Sequence, residues 1–306
     1  MKKPQIRPRS SSVLSQILLQ WLRLLPTVFH PLSRNISREV SVYLSIRYLI
    51  PAVNESFLRV YDLERRTVQE AVLVRSFTRA AVPCLIACDV VMYVGGFPDY
   101  SNSVFAVDLY TYEVTSLAGM GVARGWPGVI LYEEFVYVFG GNSPQLASAE
   151  KYDISANQWL AVPDMGHARY SFTPALYKEE IYLADCMINP KVIEVFDPYS
   201  ETYRELSVHL PALGNHSVSF VIKDEFYFIS YQFKLGKLLL SPMADAFVVT
   251  SITEESNSKA YSGCPPLILG ECAYFANYAE GTLTKFDTKK ETLKSYIDFS
   301  LLPDIN

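Results

Sequence analysis

The stretch that decides the fold is EEFVYVFGGNSPQLASAEKYDISANQWLAVPDMGHARY, residues 133–170. An acidic turn leads into the apolar run Phe135–Phe139, which predicts a buried strand. Gly140-Gly141 end this strand, because residues without a Cβ tolerate positive φ and close backbone approach. A second strand ends at Tyr152-Asp153, and Trp159 lies seven residues after Tyr152 on a third strand. The stretch therefore predicts a unit of short strands.

The unit recurs along the chain with a nearly constant step. Taking the Asp that ends the second of these strands as a marker, the positions are Asp62, Asp108, Asp153, Asp197, Ser241 (where the Asp is lost) and Asp287. The steps are 46, 45, 44, 44 and 46 residues. This is the period of propeller blades. Four short strands cannot bury enough surface alone, whereas sheets arranged radially cover one another. Six units predict six blades.

An apolar strand, a glycine pair, a spaced Tyr and a Trp together resemble the kelch repeat. The pairs Gly95-Gly96 and Gly140-Gly141 carry this resemblance, with Tyr152 and Trp159. Later units keep the strands and lose the glycines. The resemblance implies an all-β fold, a six-bladed β-propeller of kelch type, over about residues 40–300. The Gly-His and Trp-Asp pairs of the rival WD40 propellers are absent.

The predicted domains are a basic N-terminal arm with a short amphipathic helix, residues 1–35, and the propeller, residues 36–306. Apolar residues of the arm follow helical spacing between Leu14 and Leu25, and Pro26 ends the pattern. Four interpretations are open: a helix packed on the propeller, a partner-binding helix, a mitochondrial presequence and a secretory signal. Residues 24–40 weakly resemble an F-box, but this segment is too short for three packed helices. About 40 residues precede the first predicted blade, which we expect to be too few for a BTB domain.

Charge is distributed unevenly along the chain. Residues 1–40 carry seven basic side chains and one acid, whereas the remaining 266 residues carry 20 basic and 31 acidic side chains. An acidic body excludes the basic footprint of nucleic-acid binding. The apolar helix of the arm has about twelve residues and is too short to span a bilayer, so no integral membrane segment is expected.

Cysteine and histidine spacing predicts neither disulfides nor a metal site. Cys84 and Cys88 are four residues apart on one strand, about 13 Å and too far for a disulfide. The five cysteines contain no CxxC motif, and the four histidines form no HxH or HExxH pair. We expect buried thiols in a reducing, cytoplasmic compartment and no cofactor or metal.

Arginines precede the innermost strands of three units, at Arg79, Arg124 and Arg169. In kelch propellers this loop lies at one mouth of the central channel, where basic residues bind a carboxylate of a peptide. The resemblance therefore implies a partner-binding site. Trp126 is a candidate anchor, or alternatively a plug of the inner strand, and His216 occupies a similar place in a later unit. The alternative for the arginines is structural: they hydrogen-bond neighbouring carbonyls and lock adjacent blades together.

Enzymatic motifs are missing from the sequence. The marker aspartates recur once per unit, which indicates a turn role rather than catalysis. No P-loop, GxSxG or GxGxxG motif occurs. The sequence therefore predicts a non-catalytic protein-protein interaction module, a monomeric scaffold whose blade loops contact a protein or peptide partner, with an acidic one fitting the arginines. The alternatives are a substrate receptor of a cullin-RING ubiquitin ligase and a propeller enzyme of the sialic acid epimerase kind.

Overall fold

The structure, a computed structural model, describes fifteen segments of the chain. They are residues 46–52, 55–62, 67–72, 81–87, 90–96, 100–108, 111–144, 146–184, 192–209, 217–230, 234–239, 246–251, 253–254, 266–277 and 282–298. These segments contain strands and no helix, so the all-β prediction is confirmed there. The predicted arm and its helix lie outside the described residues.

Most strands are five to eight residues long and rich in β-branched and aromatic residues. In chain order they are β1 (Ile46–Ala52), β2 (Glu55–Asp62), β3 (Thr67–Val72), β4 (Val82–Ala87), β5 (Val90–Val94), β6 (Val104–Asp108), β7 (Val114–Ser116), β8 (Gly128–Tyr132), β9 (Phe135–Phe139), β10 (Ala149–Asp153), β11 (Gln158–Val162), β12 (Phe172–Thr173), β13 (Ala175–Tyr177), β14 (Glu180–Ala184), β15 (Val192–Asp197), β16 (Thr202–His209), β17 (Ser217–Ile222), β18 (Glu225–Ser230), β19 (Lys234–Leu239), β20 (Ala246–Ser251), β21 (Thr253–Glu254), β22 (Leu267–Leu269), β23 (Cys272–Asn277), β24 (Thr282–Asp287) and β25 (Thr292–Asp298).

The strands form five blades of a propeller, and each blade is an antiparallel meander of four consecutive strands. The first blade is β4–β7, the second β8–β11, the third β13–β16, the fourth β17–β20 and the fifth β22–β25. Two short strands join neighbouring sheets in parallel: β12 pairs with β17, and β21 pairs with β25.

The six-bladed prediction is wrong, because the arrangement has five blades. The unit marked by Asp62 supplies only the three-stranded sheet β1-β2-β3. Its marker ends β2, and the marker ends the third strand of a blade elsewhere, so β1–β3 correspond to the second, third and fourth strands. An inner strand for this unit is not among the described strands. The prediction counted the marker residues at the ends of third strands. A marker residue does not require that all four strands of its blade are present.

The core lies between neighbouring blades. Tyr137 and Phe139 of β9 pack against Phe196 of β15, with ring centroids 5.7 and 5.5 Å apart. The opposite face of β9, through Val136 and Val138, packs in a cluster with residues of the first blade. Both faces of a central strand are therefore buried, and burial of each such side chain contributes about 1.5–3 kcal/mol.

The connections alternate between two faces of the propeller, because the strands of a blade are antiparallel. The loop face holds the links from second to third strand and from one blade to the next. The turn face holds the two tight turns of each blade. There, Asp153 Oδ1 accepts the amide hydrogen of Ala156 at 2.8 Å, and Asp197 Oδ1 accepts that of Tyr199 at 2.8 Å. Asp108 and Asp287 make equivalent bonds to Thr111 and Lys289. These aspartates hold turns.

Candidate functional site

The backbone of Arg124 connects two loops of the loop face. Its amide donates to the carbonyl of Ser101 at 3.1 Å, and its carbonyl accepts from the amide of Gly96 at 3.0 Å. A Cβ on Gly95 would lie 2.3 Å from the same Arg124 carbonyl oxygen. The glycine pair of the first blade is therefore required by the loop that leads into the second blade.

The side chain of Arg124 reaches into the second blade and is fully buried there. Nη1 donates to the carbonyls of Gly140 at 2.6 Å and Ser148 at 2.8 Å. Nη2 forms an ion pair with Glu150 Oε1 at 2.9 Å. Burial lowers the pKa of the Arg124 guanidinium from its ordinary value, and the hydrogen bond to Glu150 opposes that effect. Since these partners lie in the next blade, Arg124 fastens two blades together.

The same arrangement recurs one blade later, at Arg169. Its carbonyl accepts from the amide of Gly141 at 2.8 Å. Its Nε donates to Glu194 Oε2 at 2.9 Å, and Nη2 donates to the carbonyl of Val192 at 3.0 Å. Both side chains of the ion pair are at most 2% exposed. Glu194 also accepts the amide hydrogen of Gly166 at 2.7 Å, so the carboxylate fixes the loop as well as the arginine.

These contacts support the structural interpretation of Arg124 and Arg169. A buried guanidinium that is hydrogen-bonded within the propeller holds the shape of the mouth and does not present its charge to a partner. Arg79 and His216 lie outside the described residues. A direct role of the predicted residues in partner binding stays a prediction.

Sequence reasoning included the carbonyl partners of these arginines as an alternative but missed their glutamate partners, although a repeated signal marks them. Met-Gly-x-Ala-Arg occurs at residues 120–124 and again at 165–169. Glu150 and Glu194 each stand three residues before a marker Asp. Aligning the units on the marker places an arginine and a glutamate in the same two repeats. The pattern indicates an ion pair, because a buried arginine needs a carboxylate or several carbonyls.

Trp126 lies near the channel mouth on the loop face, where inner loops of neighbouring blades meet. Its backbone has a φ of 49°, and its carbonyl accepts the amide hydrogen of Ser171 at 2.8 Å. Ser171 itself has a φ of 58°, and Tyr100 has a φ of 32°. A bulky residue at positive φ is a genuine outlier, and such strain clusters at functional sites. Trp126 is partly exposed there, and its role as an anchor stays a prediction.

The surroundings of Trp126 contain two further aromatic residues that are partly exposed. The Tyr100 ring lies beside Gly125, the residue directly before Trp126, because a Cβ on Gly125 would lie 3.2 Å from that ring. Tyr170 follows Arg169 directly and is also partly exposed. The Asn142 amide donates to the Gly125 carbonyl at 2.8 Å, which ties a third loop to the same place. We call the partly exposed residues Tyr100, Trp126, Asn142 and Tyr170 the mouth cluster, and Ser171 lies buried beside it.

Trp159 and Tyr152 are structural residues of the second blade. Their rings lie 5.2 Å apart, and Trp159 Nε1 donates to the carbonyl of Ala118 at 2.8 Å. Ala118 belongs to the link from the first blade to the second, so this hydrogen bond also joins neighbouring blades. The Tyr152 hydroxyl donates to Asn157 Oδ1 at 2.7 Å, and burial raises the pKa of Tyr152 to about 12.

Groups with catalytic or metal-binding chemistry are sparse in the described part of the chain. His167 Nε2 lies 2.8 Å from Glu205 Oε1 on a partly exposed part of the loop face. Cys84 and Cys272 are both free thiols. Among the described residues, no three His, Cys, Asp or Glu side chains come together as a metal site, and no helix there is long and apolar enough to cross a membrane.

Comparison with known proteins agrees with this geometry. Residues 136–166 match the model of the Kelch motif. The chain is 24% identical over 132 residues to Kelch-like protein 36 of Bos taurus, and the alignment covers 37% of this chain and 21% of that relative. The chain thus spans about a fifth of the relative's length. The solved structure of YjhT superposes with a TM-score of 0.57 at 13% identity, covering 74% of this chain and 86% of that one, and shows a shared fold. The chain therefore carries a Kelch motif within a β-propeller fold, which confirms the resemblance to the kelch repeat.

Proposed function

We propose that the chain is a non-catalytic protein-interaction module that contacts its partner through the mouth cluster. The fold supports this, because a propeller presents loops from several blades on one rigid surface. The observation that carries the proposal is Trp126, partly exposed and held at a φ of 49° by the Ser171 amide. Aromatic side chains of this kind are enriched among the residues that dominate binding energy.

The buried arginines give the mouth cluster its rigidity. Arg124 precedes Trp126 by two residues, and Arg169 precedes Ser171 by two residues. Each guanidinium is locked by a carboxylate of the following blade, so neither loop needs to be ordered when a partner binds. Preorganised loops lose less conformational entropy on association, and this raises affinity.

The chemistry of the partner follows from what the mouth exposes. Among the described residues there, Arg124 and Arg169 are already paired with glutamates, whereas Tyr100, Trp126 and Tyr170 present aromatic surface. An apolar or aromatic residue of a partner protein fits this surface. An acidic partner, the monomeric state and a cytoplasmic location stay predictions.

A pulldown with a tagged full-length chain tests the proposal. Partners are recovered from native cells and quantified by mass spectrometry for wild type, Trp126→Ala and Leu160→Ala. Leu160 is the matched control, because it is 37% exposed in the middle of β11, the outermost strand of the second blade. The truncation at Trp126 should reduce recovery of a specific partner about tenfold or more, and the control should not. Equal recovery with the Trp126 variant, at unchanged thermal stability, would contradict the proposal.

A further inference from the structure

The turn face carries a ring of aliphatic side chains around the axis of the propeller. One residue of each inner strand opposes the second residue of the neighbouring strand in the register, namely Leu85 against Val91, Leu131 against Val136, Leu176 against Ile181, Val221 against Phe226 and Ile268 against Ala273. We call Leu85, Leu131, Leu176, Val221 and Ile268 the aliphatic ring. All five blades contribute, each beside its first tight turn.

In three blades the member of the aliphatic ring, Leu85, Leu176 or Val221, is more exposed than both of its neighbours in the strand. Leu85 is 47% exposed and Leu176 is 38% exposed, whereas Tyr177 next to it is 8% exposed. Leu131, Val221 and Ile268 pack partly against clusters between the blades and remain partly accessible. Because inner strands line the central channel of a propeller, this apolar surface surrounds one end of the channel. A contiguous apolar surface in the middle of a face marks a contact surface.

The turns around the aliphatic ring are strongly acidic. The turn face has two turns in each blade, and eight of these ten turns include described residues, namely 108 with 111–113, 133–134, 153–158, 178–179, 197–202, 223–224, 270–271 and 287–292. Together they hold twelve acidic residues and four lysines, a balance of −8. The described links on the loop face include Asp164 and two arginines that are buried in ion pairs. Among the described residues, the turns around the aliphatic ring therefore carry more net negative charge than these links.

We propose that the aliphatic ring and its acidic turns bind a basic segment of a partner protein in which lysine or arginine residues flank a branched aliphatic residue. The aliphatic side chain contacts Leu85, Leu176 and their counterparts, and the cationic groups lie over the turns. Charge complementarity selects this occupant, since an acidic segment is repelled and a purely basic one leaves the apolar surface uncovered. This surface lies opposite the mouth cluster, so the two sites are independent.

Three synthetic peptides test the proposal by fluorescence anisotropy with the full chain. The probe is fluorescein-labelled Gly-Ser-Lys-Leu-Lys-Ile-Arg-Gly-Ser. One matched peptide replaces its basic residues by Glu, and the other replaces Leu and Ile by Ser. The probe should bind about tenfold tighter than either matched peptide at about 50 mM salt and weaken as salt increases. Equal affinity for all three peptides would overturn the proposal.

Variants of exposed residues locate the binding. Leu176→Ser should weaken the probe about fivefold or more, and Val122→Ser should not, although Val122 is 36% exposed on the loop face. Glu133→Lys should also weaken it. Lysine suits that position, because Lys178 and Lys223 occupy it in other blades with φ values of 50° and 52°, against 52° for Glu133. Loss of binding with Val122→Ser alone would place the probe elsewhere and overturn the inference.

The basic segment of residues 1–40 is a rival occupant, and zero-length carbodiimide cross-linking separates the two. In the full chain, cross-links from Lys2 or Lys3 to Glu133 or Glu134 would show that the protein covers this surface itself, which overturns the partner proposal. Cross-links from the probe to Glu133 or Glu134, with none from Lys2 or Lys3, support it.

Discussion

Gly140 and the carbonyl oxygen of Arg169 lie so close that a Cβ on the glycine would come within 2.1 Å of that oxygen. Gly140 also has a φ of 63°. The glycine of one blade and the arginine of the next are therefore one structural unit, which explains why both occur in the same repeats. An alanine at the glycine position displaces the loop that carries the buried ion pair.

Replacing Gly140 by Ala should destabilise the protein by about 3 kcal/mol or more. The left-handed backbone costs about 1–2 kcal/mol for alanine, and the contact with the Arg169 carbonyl adds to it. Gly270→Ala is the matched control, because Gly270 has a φ of 61° and no heavy atom within 4 Å of the place that a Cβ would occupy. Urea unfolding measures both. Equal losses would show that the close approach is unimportant.

Replacing Arg169 by Met should cost about 3–5 kcal/mol, because it leaves the Glu194 carboxylate buried without its cation. Arg204→Met removes an exposed ion pair with Glu180, and it should cost less than about 1 kcal/mol. Adding Glu194→Gln to Arg169→Met should recover part of the loss, since the uncompensated charge disappears. Unfolding midpoints in urea measure the three variants. A loss of the same size in Arg204→Met would contradict the role of burial.

The Cys84 thiol should resist alkylation in the folded protein. Cys84 is 5% exposed, and burial raises its pKa to about 12. Because the thiolate is the nucleophile, a pKa this high leaves about one thiol in ten thousand ionised at pH 8. Iodoacetamide labelling followed by peptide mass spectrometry should therefore show Cys84 protected in buffer and modified in urea. Rapid labelling in buffer would contradict its burial.

Removing the Ser200 hydroxyl should raise the pKa of Asp197. The hydrogen bond from Ser200 and then the Tyr199 amide hold that pKa below its ordinary value of 3.8. A depressed folded-state pKa contributes stability that is present above the unfolded value and is lost as the pH falls through the folded value. Carboxyl NMR titration of Ser200→Ala should show Asp197 moving towards 3.8. An unchanged titration would exclude Ser200 as the cause.

The fold class was predictable from the repeats, because the marker aspartates that end the third strands stand at regular intervals and make the same turn bonds. The number of blades was not. The marker of the first unit, Asp62, lies in a described sheet of three strands, and a marker on the third strand says nothing of the first. Local pattern predicts strands, whereas a complete blade depends on pairing between distant segments.

The roles within the site were only partly predictable. The position of Arg124 before an inner strand followed from the alternating pattern. Its burial depends on Glu150, which lies 26 residues further along the chain, and on carbonyls freed by the turn at Gly140. The sequence does not reveal the positive φ of Trp126, and its role as anchor or plug stays a prediction. Conformation and long-range partners decide these roles, and neither follows from residue type.

The parallel pairing of β12 with β17 has a consequence for motion. Thr173 of β12 lies opposite Val218 of β17, so backbone hydrogen bonds cross the seam between the third and fourth blades. Amide protons on both sides of this boundary become exposed in the same opening event, so they should exchange with deuterium at matching rates. Where only side chains connect two blades, we expect each blade to open separately. Backbone hydrogen bonds therefore hold the third and fourth blades together, and we expect local opening of the propeller to begin at another boundary between blades.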